Sequence, residues 1–466
     1  MAEDIGKKQK VVVAEIVHLG EKMVLPTGMT YTSAIDLLQR RMKYEEEDTR
    51  MTAIFETFPW DGAAALKRAL DKHYGWAIAE KTPSMFGDQP PQLIEIAIDA
   101  KGGKINVPWG RFSLPGIVGW LETGYGRNQF SLSGIFKRKH EAEVNALFQR
   151  VREELKEKSL YRGKAFRMRW LDDDGDLKNI PDVNFIETDD IDEGMLIFSS
   201  HVNAAVRTNL FTPISRVREL SSNNIPVKRG ILLGGTFGTG KSMAAKVASK
   251  FAVEAGVTFV YVQRAKELKY AIEFARKYQD PACVIFCEDI DRETDGERDV
   301  EMDDLLNIID GIDSKTMNLF VVLTTNNLDG INAAMLRPGR LDAVIEVTPP
   351  DAEAVERLLR SYGGGSISSK EDLKEVSRLL NGRIPAVIAE VVKRAKLHEL
   401  SFTPKGEKVG TISEEALIEA ALTMNTQLDL LEKKMEKKPP QDSLVSALKG
   451  VIKEASKEIE KEEAEY

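Results

Sequence analysis

The sequence predicts an α/β fold. A mostly parallel sheet covered by helices is preceded by an α+β region and followed by a small helical domain and a charged helical tail. Three observations carry this. Between residues 200 and 350, apolar runs at 231–233, 257–262, 283–287, 319–324 and 343–347 alternate with helical segments, the pattern of strands buried on both faces. A glycine-rich turn separates the first run from a helical stretch that reaches Phe251. From residue 351 onward the strand-like runs stop and four helical segments follow.

With 466 residues the chain has room for about three domains and a tail. The boundaries drawn are 1–194 for the α+β region, 195–350 for the large α/β domain, 351–424 for the helical domain and 425–466 for the tail. Val11 to Val17 reads as a strand. Thr27 to Glu47 reads as a helix, with Ala34, Leu37, Leu38 and Met42 at helical spacing. A second helix follows Pro59-Trp60, with Asp61 as N-cap and Ala65, Leu66 and Leu70 on one face. Leu93 to Ile98 reads as a strand, residues 100–135 as irregular or β structure. Glu141 to Lys158 reads as a helix with Val144, Leu147, Val151 and Leu155 inward. From Lys164 to Trp170 the chain alternates: Phe166, Met168 and Trp170 face one way, Arg167 and Arg169 the other. Asp172 to Asp176 then marks a hairpin turn, and Glu187 to Gly194 an exposed acidic connector.

The chemistry is concentrated in the α/β domain. Gly235-Thr236-Phe237-Gly238-Thr239-Gly240-Lys241-Ser242 fits G-x-x-x-x-G-K-[ST] between a strand and a helix. There the glycines let backbone N–H groups close around phosphate oxygens, and the new helix points its positive end at the same place. Lys241 is expected to reach the β- and γ-phosphates of a nucleoside triphosphate, and Ser242 to hold magnesium. The run Val284 to Cys287 leads into Glu288-Asp289-Ile290-Asp291. One carboxylate is expected to hold the magnesium water shell, and the next to orient and deprotonate an attacking water. Val321 to Thr325 ends at Asn326, whose amide is placed between the γ-phosphate and that water. Arg337-Pro338-Gly339-Arg340 puts two arginines around a turn, suited to stabilise a transferring phosphoryl group.

In this order and spacing, and together with Leu305 to Asp313, these segments resemble an AAA-clade ATPase of the AAA+ superfamily over roughly residues 200–424. The resemblance implies a P-loop AAA+ domain with a helical lid, and ATP with Mg2+ bound. It implies a homo-oligomer, a hexameric ring that couples ATP hydrolysis to remodelling, disassembly or translocation of a protein substrate. Gly235 to Ser242 would bind the nucleotide, with Ser242 and Glu288 on the metal. Asp289, Glu288 and Asn326 would be catalytic, Asn326 as the sensor-1 asparagine. Arg337 and Arg340 would act on the adjacent subunit's ATP, with the main finger left open between them.

The chain departs from the family pattern in four places. The acidic pair is Glu288-Asp289 where many members have Asp then Glu, an order similar to AAA translocases of the Rieske protein; Asp289 is taken as the base, with Asp291 in reserve. The lid begins Asn381-Gly382-Arg383-Ile384-Pro385-Ala386 instead of the common Gly-Ala-Asp element. The segment Arg264 to Tyr270 is short, so Tyr270 is either a pore aromatic or a helix residue. Thr236-Phe237 stands where Pro-Pro is common.

Residues 1–194 match no domain of nameable activity and are expected to recognise the protein substrate or an adaptor. The alternative, a nucleic-acid remodeller or loader, draws on Phe136-Lys137-Arg138-Lys139-His140 and on Tyr161, Arg162, Lys164, Phe166, Arg167, Arg169 and Trp170. A net charge of −9 weighs against it. A third alternative is an ATP-gated assembly scaffold. No run of about 18 apolar residues predicts a membrane span. The N-terminus lacks the apolar core of a signal peptide. Cys283 and Cys287, four apart on one strand, are roughly 13 Å from each other at ~3.3 Å per residue, too far for a disulfide. A reducing, cytoplasmic setting is expected. In the tail, Leu444, Leu448, Val451/Ile452, Ala455 and Ile459 line one helix side, for docking or as a solvated helix.

Overall fold

A computed structural model of the chain describes residues 14–18, 21–25 and 30–436, apart from 76, 86, 127–128, 291–316, 329–340 and 408–409. Asp291, the 305–313 segment, Arg337, Arg340 and the tail after Glu436 therefore lie outside the described residues. In chain order the elements begin with β1 (Ala14–His18), β2 (Glu21–Leu25), α1 (Tyr31–Glu45), β3 (Asp48–Phe55), α2 (Pro59–His73), β4 (Ile78–Glu80) and β5 (Gln92–Ala97). They continue with β6 (Lys104–Trp109), β7 (Arg111–Ser113), β8 (Gly119–Gly126), β9 (Gln129–Lys137), α3 (Glu141–Glu157), β10 (Ala165–Leu171) and β11 (Leu177–Phe185). Next come α4 (Ser200–Val206), α5 (Thr212–Ser215), α6 (Val217–Ser222), β12 (Arg229–Gly234), α7 (Lys241–Glu254), β13 (Thr258–Val262), α8 (Leu268–Ala275) and β14 (Cys283–Cys287). The last are β15 (Leu319–Thr325), β16 (Ala343–Glu346), α9 (Ala352–Gly363), α10 (Lys374–Leu379), α11 (Pro385–Phe402) and α12 (Glu414–Glu436). All five strands expected between 200 and 350 are present.

The compact units do not follow chain order. The first takes residues up to 187 together with 256–262 and 266–285; the second takes 188–255, 263–265 and the chain from 286 onward. The cause, within the first unit, is strand pairing: β10 pairs in parallel with β13, placing Ala165, Phe166 and Arg167 opposite Phe259, Val260 and Tyr261. β11 returns antiparallel along β10, so the strands run β11-β10-β13-β14. A separate antiparallel sheet has the order β3-β9-β8-β7-β4, with α2 and α3 packed together nearby. In this unit the short segment after β13 is a fixed helix start. The buried Glu267 carboxylate accepts from the backbone N–H groups of Trp170 and Leu171 (both 2.8 Å), and Tyr270 belongs to α8. Of its two readings, the helix one is observed.

The alternation in β10 is as expected, and it removes the aromatic half of the nucleic-acid alternative. Phe136, Tyr161, Phe166 and Trp170 are each at most 1% exposed, so none offers a face for a base to stack on. α1 forms as expected, with Leu37 and Met42 nearly half exposed. One local expectation is corrected. Asp61 is not a cap: α2 starts at Pro59 with Phe58 as N-cap. The Asp61 side chain points into the core, accepting from Ser159 Oγ (2.6 Å), the Leu160 N–H (2.7 Å) and the Tyr278 hydroxyl (3.1 Å).

Burial pushes the Asp61 carboxyl above the ordinary carboxylate range, against the lowering pull of those donors. The folded chain thus holds this proton more tightly than the unfolded chain. Asp61's contribution to stability accordingly falls as pH rises from about 4 toward its raised value. Asp61→Ala leaves the buried Leu160 N–H without its acceptor and takes one from the Ser159 and Tyr278 hydroxyls. It is expected to cost about 2–4 kcal/mol, read as a lower urea midpoint by circular dichroism. An unchanged midpoint would show that the carboxylate is not structural.

In the second unit β12 lies between β15 and β16, all parallel, with Leu232 opposite Leu323 and Val344. Ile231, Leu232 and Leu233 are fully buried, as are Val322 and Leu323 beside them. The helices α9 to α12 enclose their own core, built around Val355, Leu359, Leu373, Ile388, Val391 and Leu417. Among the described residues no helix is long and apolar enough to cross a membrane.

Candidate active site

The site begins where β12 ends. Gly235 leaves the sheet so close to the following strand segment that a Cβ on it would lie 2.3 Å from the Val347 carbonyl oxygen. Gly240, the N-cap of α7, has φ +106, a conformation that side chains disfavour. Between them Thr239 folds in, its hydroxyl donating to the Thr236 carbonyl (2.9 Å). Thr236 and Phe237, in place of prolines, leave this turn intact, and Phe237 is 61% exposed. α7 then starts at Lys241, so its unpaired N–H groups and positive end face the loop.

Lys241 is 7% exposed. Its ammonium donates to the carbonyls of Gly235 (2.5 Å) and Thr236 (2.9 Å) and to Asn326 Oδ1 (2.9 Å). Asn326 Nδ2 in turn donates to Asp289 Oδ1 (2.8 Å). Three residues expected to act together from sequence, separated by up to 85 positions, thus form one hydrogen-bonded line. Glu288 is half-buried, and its Oε1 is buried with no hydrogen-bond partner among the described residues. A buried carboxylate oxygen left over beside the loop is what a magnesium-bound water requires, so the donor set fits the metal. Ser242, exposed at the first turn of α7, borders the same space.

These residues line a cleft of about 430 Å³. Its other end is apolar: Leu196, Ile197 and Phe198 on one side, Leu358, Tyr362, Pro385 and Ala386 on the other. Arg357 ties the two sides by donating to the Phe198 carbonyl (2.8 Å), and Lys250 fixes the preceding connector through the Ile191 carbonyl (2.5 Å). Burial raises the Tyr362 phenol above its ordinary value, keeping it neutral. The lid start packs on the loop, with Ile384 and Ala386 within 4 Å of a Cβ placed at Gly238. Pro385-Ala386 therefore stands where the Gly-Ala-Asp element was expected, and Arg383 is not among the cleft-lining residues. Sequence reasoning missed Leu196 to Phe198, Leu358 and Tyr362. The available signal was the apolar run directly after the acidic connector and the lone aromatic of α9.

Residues 231–349 match the ATPase family associated with various cellular activities (AAA). The chain carries an AAA ATPase domain. The chain is also similar to the 26S proteasome regulatory subunit 8 homolog of Schizosaccharomyces pombe, 29% identical over 232 residues, 46% of this chain and 56% of that protein. The proteasome-activating nucleotidase of Methanococcus maripaludis is 31% identical over 186 residues, 36% of this chain and 45% of that protein. The ATP-dependent zinc metalloprotease FtsH of Synechococcus sp. is 26% identical over 235 residues, 46% and 35% respectively. The chain thus spans about half, or less, of the length of these relatives. Each of these likenesses covers less than half of this chain.

Proposed function

We propose that this protein is an ATP hydrolase, a hexameric AAA+ ring that uses ATP binding and hydrolysis to remodel, disassemble or translocate a protein substrate. The observation that carries the reading is the line Lys241–Asn326–Asp289 closing on a glycine loop beside an unpartnered Glu288 oxygen. Gly235 to Ser242 hold the triphosphate, and the apolar end of the cleft takes the base. Mg2+, when bound, neutralises phosphate charge; Ser242 and Glu288 hold it, directly or through water. Lys241 exchanges its carbonyl and amide partners for phosphate oxygens. Asn326 orients the attacking water, and Asp289 takes its proton. Arg337 and Arg340 stabilise the developing charge on the neighbouring subunit's nucleotide.

The relatives named for the proteasome support a protein substrate over a nucleic acid, as do the buried aromatics of the N-terminal region. That region, residues 1–194, receives the substrate or its adaptor. The buried thiols of Cys283 and Cys287, reduced rather than paired in a disulfide, suit a reducing, cytoplasmic setting.

The test is nucleotide binding and turnover by the full chain. Lys241→Ala is expected to weaken binding of a fluorescent ATP analogue about 10–100-fold, the worth of a charged hydrogen bond, and to abolish phosphate release. Equal affinity and turnover in the variant would exclude this cleft as the ATP site.

A further inference from the structure

The reversed acidic pair has a structural cause, and it singles out Thr324, a residue with no role in the reading above. Among the described residues, only Asn224 and Asp289 have positive φ without being glycine; Asp289 has φ +44. A left-handed residue at the end of a buried strand needs something to hold it, because side chains disfavour that region. The holder is the end of β15. The Asp289 N–H donates to Thr324 Oγ1 (2.9 Å), and the Ile290 N–H donates to the Thr324 carbonyl (3.0 Å). Thr324 is 1% exposed, so water does not replace its hydroxyl. One residue therefore grips the turn at two consecutive amides. Two positions further on, Asn326 grips the Asp289 carboxylate itself (2.8 Å).

We infer that Thr324 is a positioning residue for hydrolysis: its hydroxyl holds Asp289 in the left-handed conformation that aims the carboxylate at the attacking water. The same clamp accounts for the order Glu288-Asp289. Asp and Asn enter the left-handed region more readily than longer side chains, so a turn held this way favours the short acid at position 289. This inference rests on Asp289 being the base.

The experiment compares Thr324→Val, Thr324→Ser, Asp289→Asn and the double variant Thr324→Val/Asp289→Asn. Each is assayed for single-turnover hydrolysis and for affinity toward a fluorescent ATP analogue. Valine keeps the shape and removes the acceptor, so kcat is expected to fall about tenfold or more with affinity within twofold of the parent. Serine restores the acceptor and is expected to recover most of the rate. In the Asp289→Asn background, Thr324→Val is expected to add little, because the two residues act as one unit. A merely structural role predicts the opposite: a lower melting temperature, weakened nucleotide binding and full additivity. Loss of activity in Asp289→Asn with unchanged kcat in Thr324→Val would overturn the positioning role alone. Unchanged hydrolysis in Asp289→Asn would overturn the assignment of the base.

Discussion

Asp289→Asn is expected to slow ATP hydrolysis about 10²–10⁴-fold, the usual worth of a positioned general base, while ATP remains bound. The geometry makes this a clean substitution. Asparagine tolerates the left-handed backbone as well as aspartate does. The amide oxygen can still accept from Asn326, and the Thr324 bond to the backbone N–H is untouched. What is lost is the ability to take a proton. The variant should therefore accumulate in its ATP-bound form, visible as a larger assembly by light scattering when ATP is added. Proteins that co-purify with it should include the substrate. Asp289→Glu is the informative partner, since it keeps the charge but lengthens the side chain at a strained position; it too is expected to be slow. A fully active Asp289→Asn with Asp291→Asn inactive would move the base to Asp291.

The sequence carried the centre of the site because phosphate binding depends on short-range constraints. A glycine at 240 is needed for φ +106, and a lysine must follow at the helix start, so the loop is written in eight consecutive residues. The five strands expected between 200 and 350 were also legible, since each is mostly apolar. Residues acting at long range left weaker marks. Leu196, Ile197 and Phe198 look like any apolar segment until Arg357 binds the Phe198 carbonyl. Thr324 reads as an ordinary β-branched strand residue until its hydroxyl is seen to hold a turn 35 positions away. Asp61 shows how a local rule is overridden. Acid near a helix start is a capping signal, but Pro59 already opens the helix and three buried donors claim the carboxylate. The parallel pairing of β10 with β13 was illegible for the same reason: alternation fixes which side is buried, not which strand lies alongside.

The second large effect is expected at the arginines, and here the decisive result is rescue. Arg337→Ala or Arg340→Ala should lower turnover about 10³–10⁵-fold if either supplies charge to the transferring phosphoryl group. The chain just after them indicates whose nucleotide they reach. Asp342 is tethered to the start of β12: its carboxylate accepts from the Gly230 N–H (2.8 Å), and its own N–H donates to the Gly230 carbonyl (2.7 Å). The phosphate loop starts at Gly235, at the other end of that strand, about 16 Å away at ~3.3 Å per residue. Asp342, two residues after Arg340, is thus anchored at the end of the strand away from the loop of its own subunit. If the subunits assemble head to tail, arginines supplied from that end of the strand would act on the neighbour's nucleotide. Mixing Lys241→Ala subunits, which lack a nucleotide site, with Arg337→Ala/Arg340→Ala subunits, which lack fingers, is then expected to create working interfaces. With random mixing at equal amounts, about a quarter of interfaces pair an intact loop with intact arginines. The mixture should recover up to that fraction of the parent rate, although each variant alone is inactive. Mixed assemblies that form but show no activity above the two variants measured separately would place the arginines on their own subunit's nucleotide, and the ring would lose its catalytic rationale.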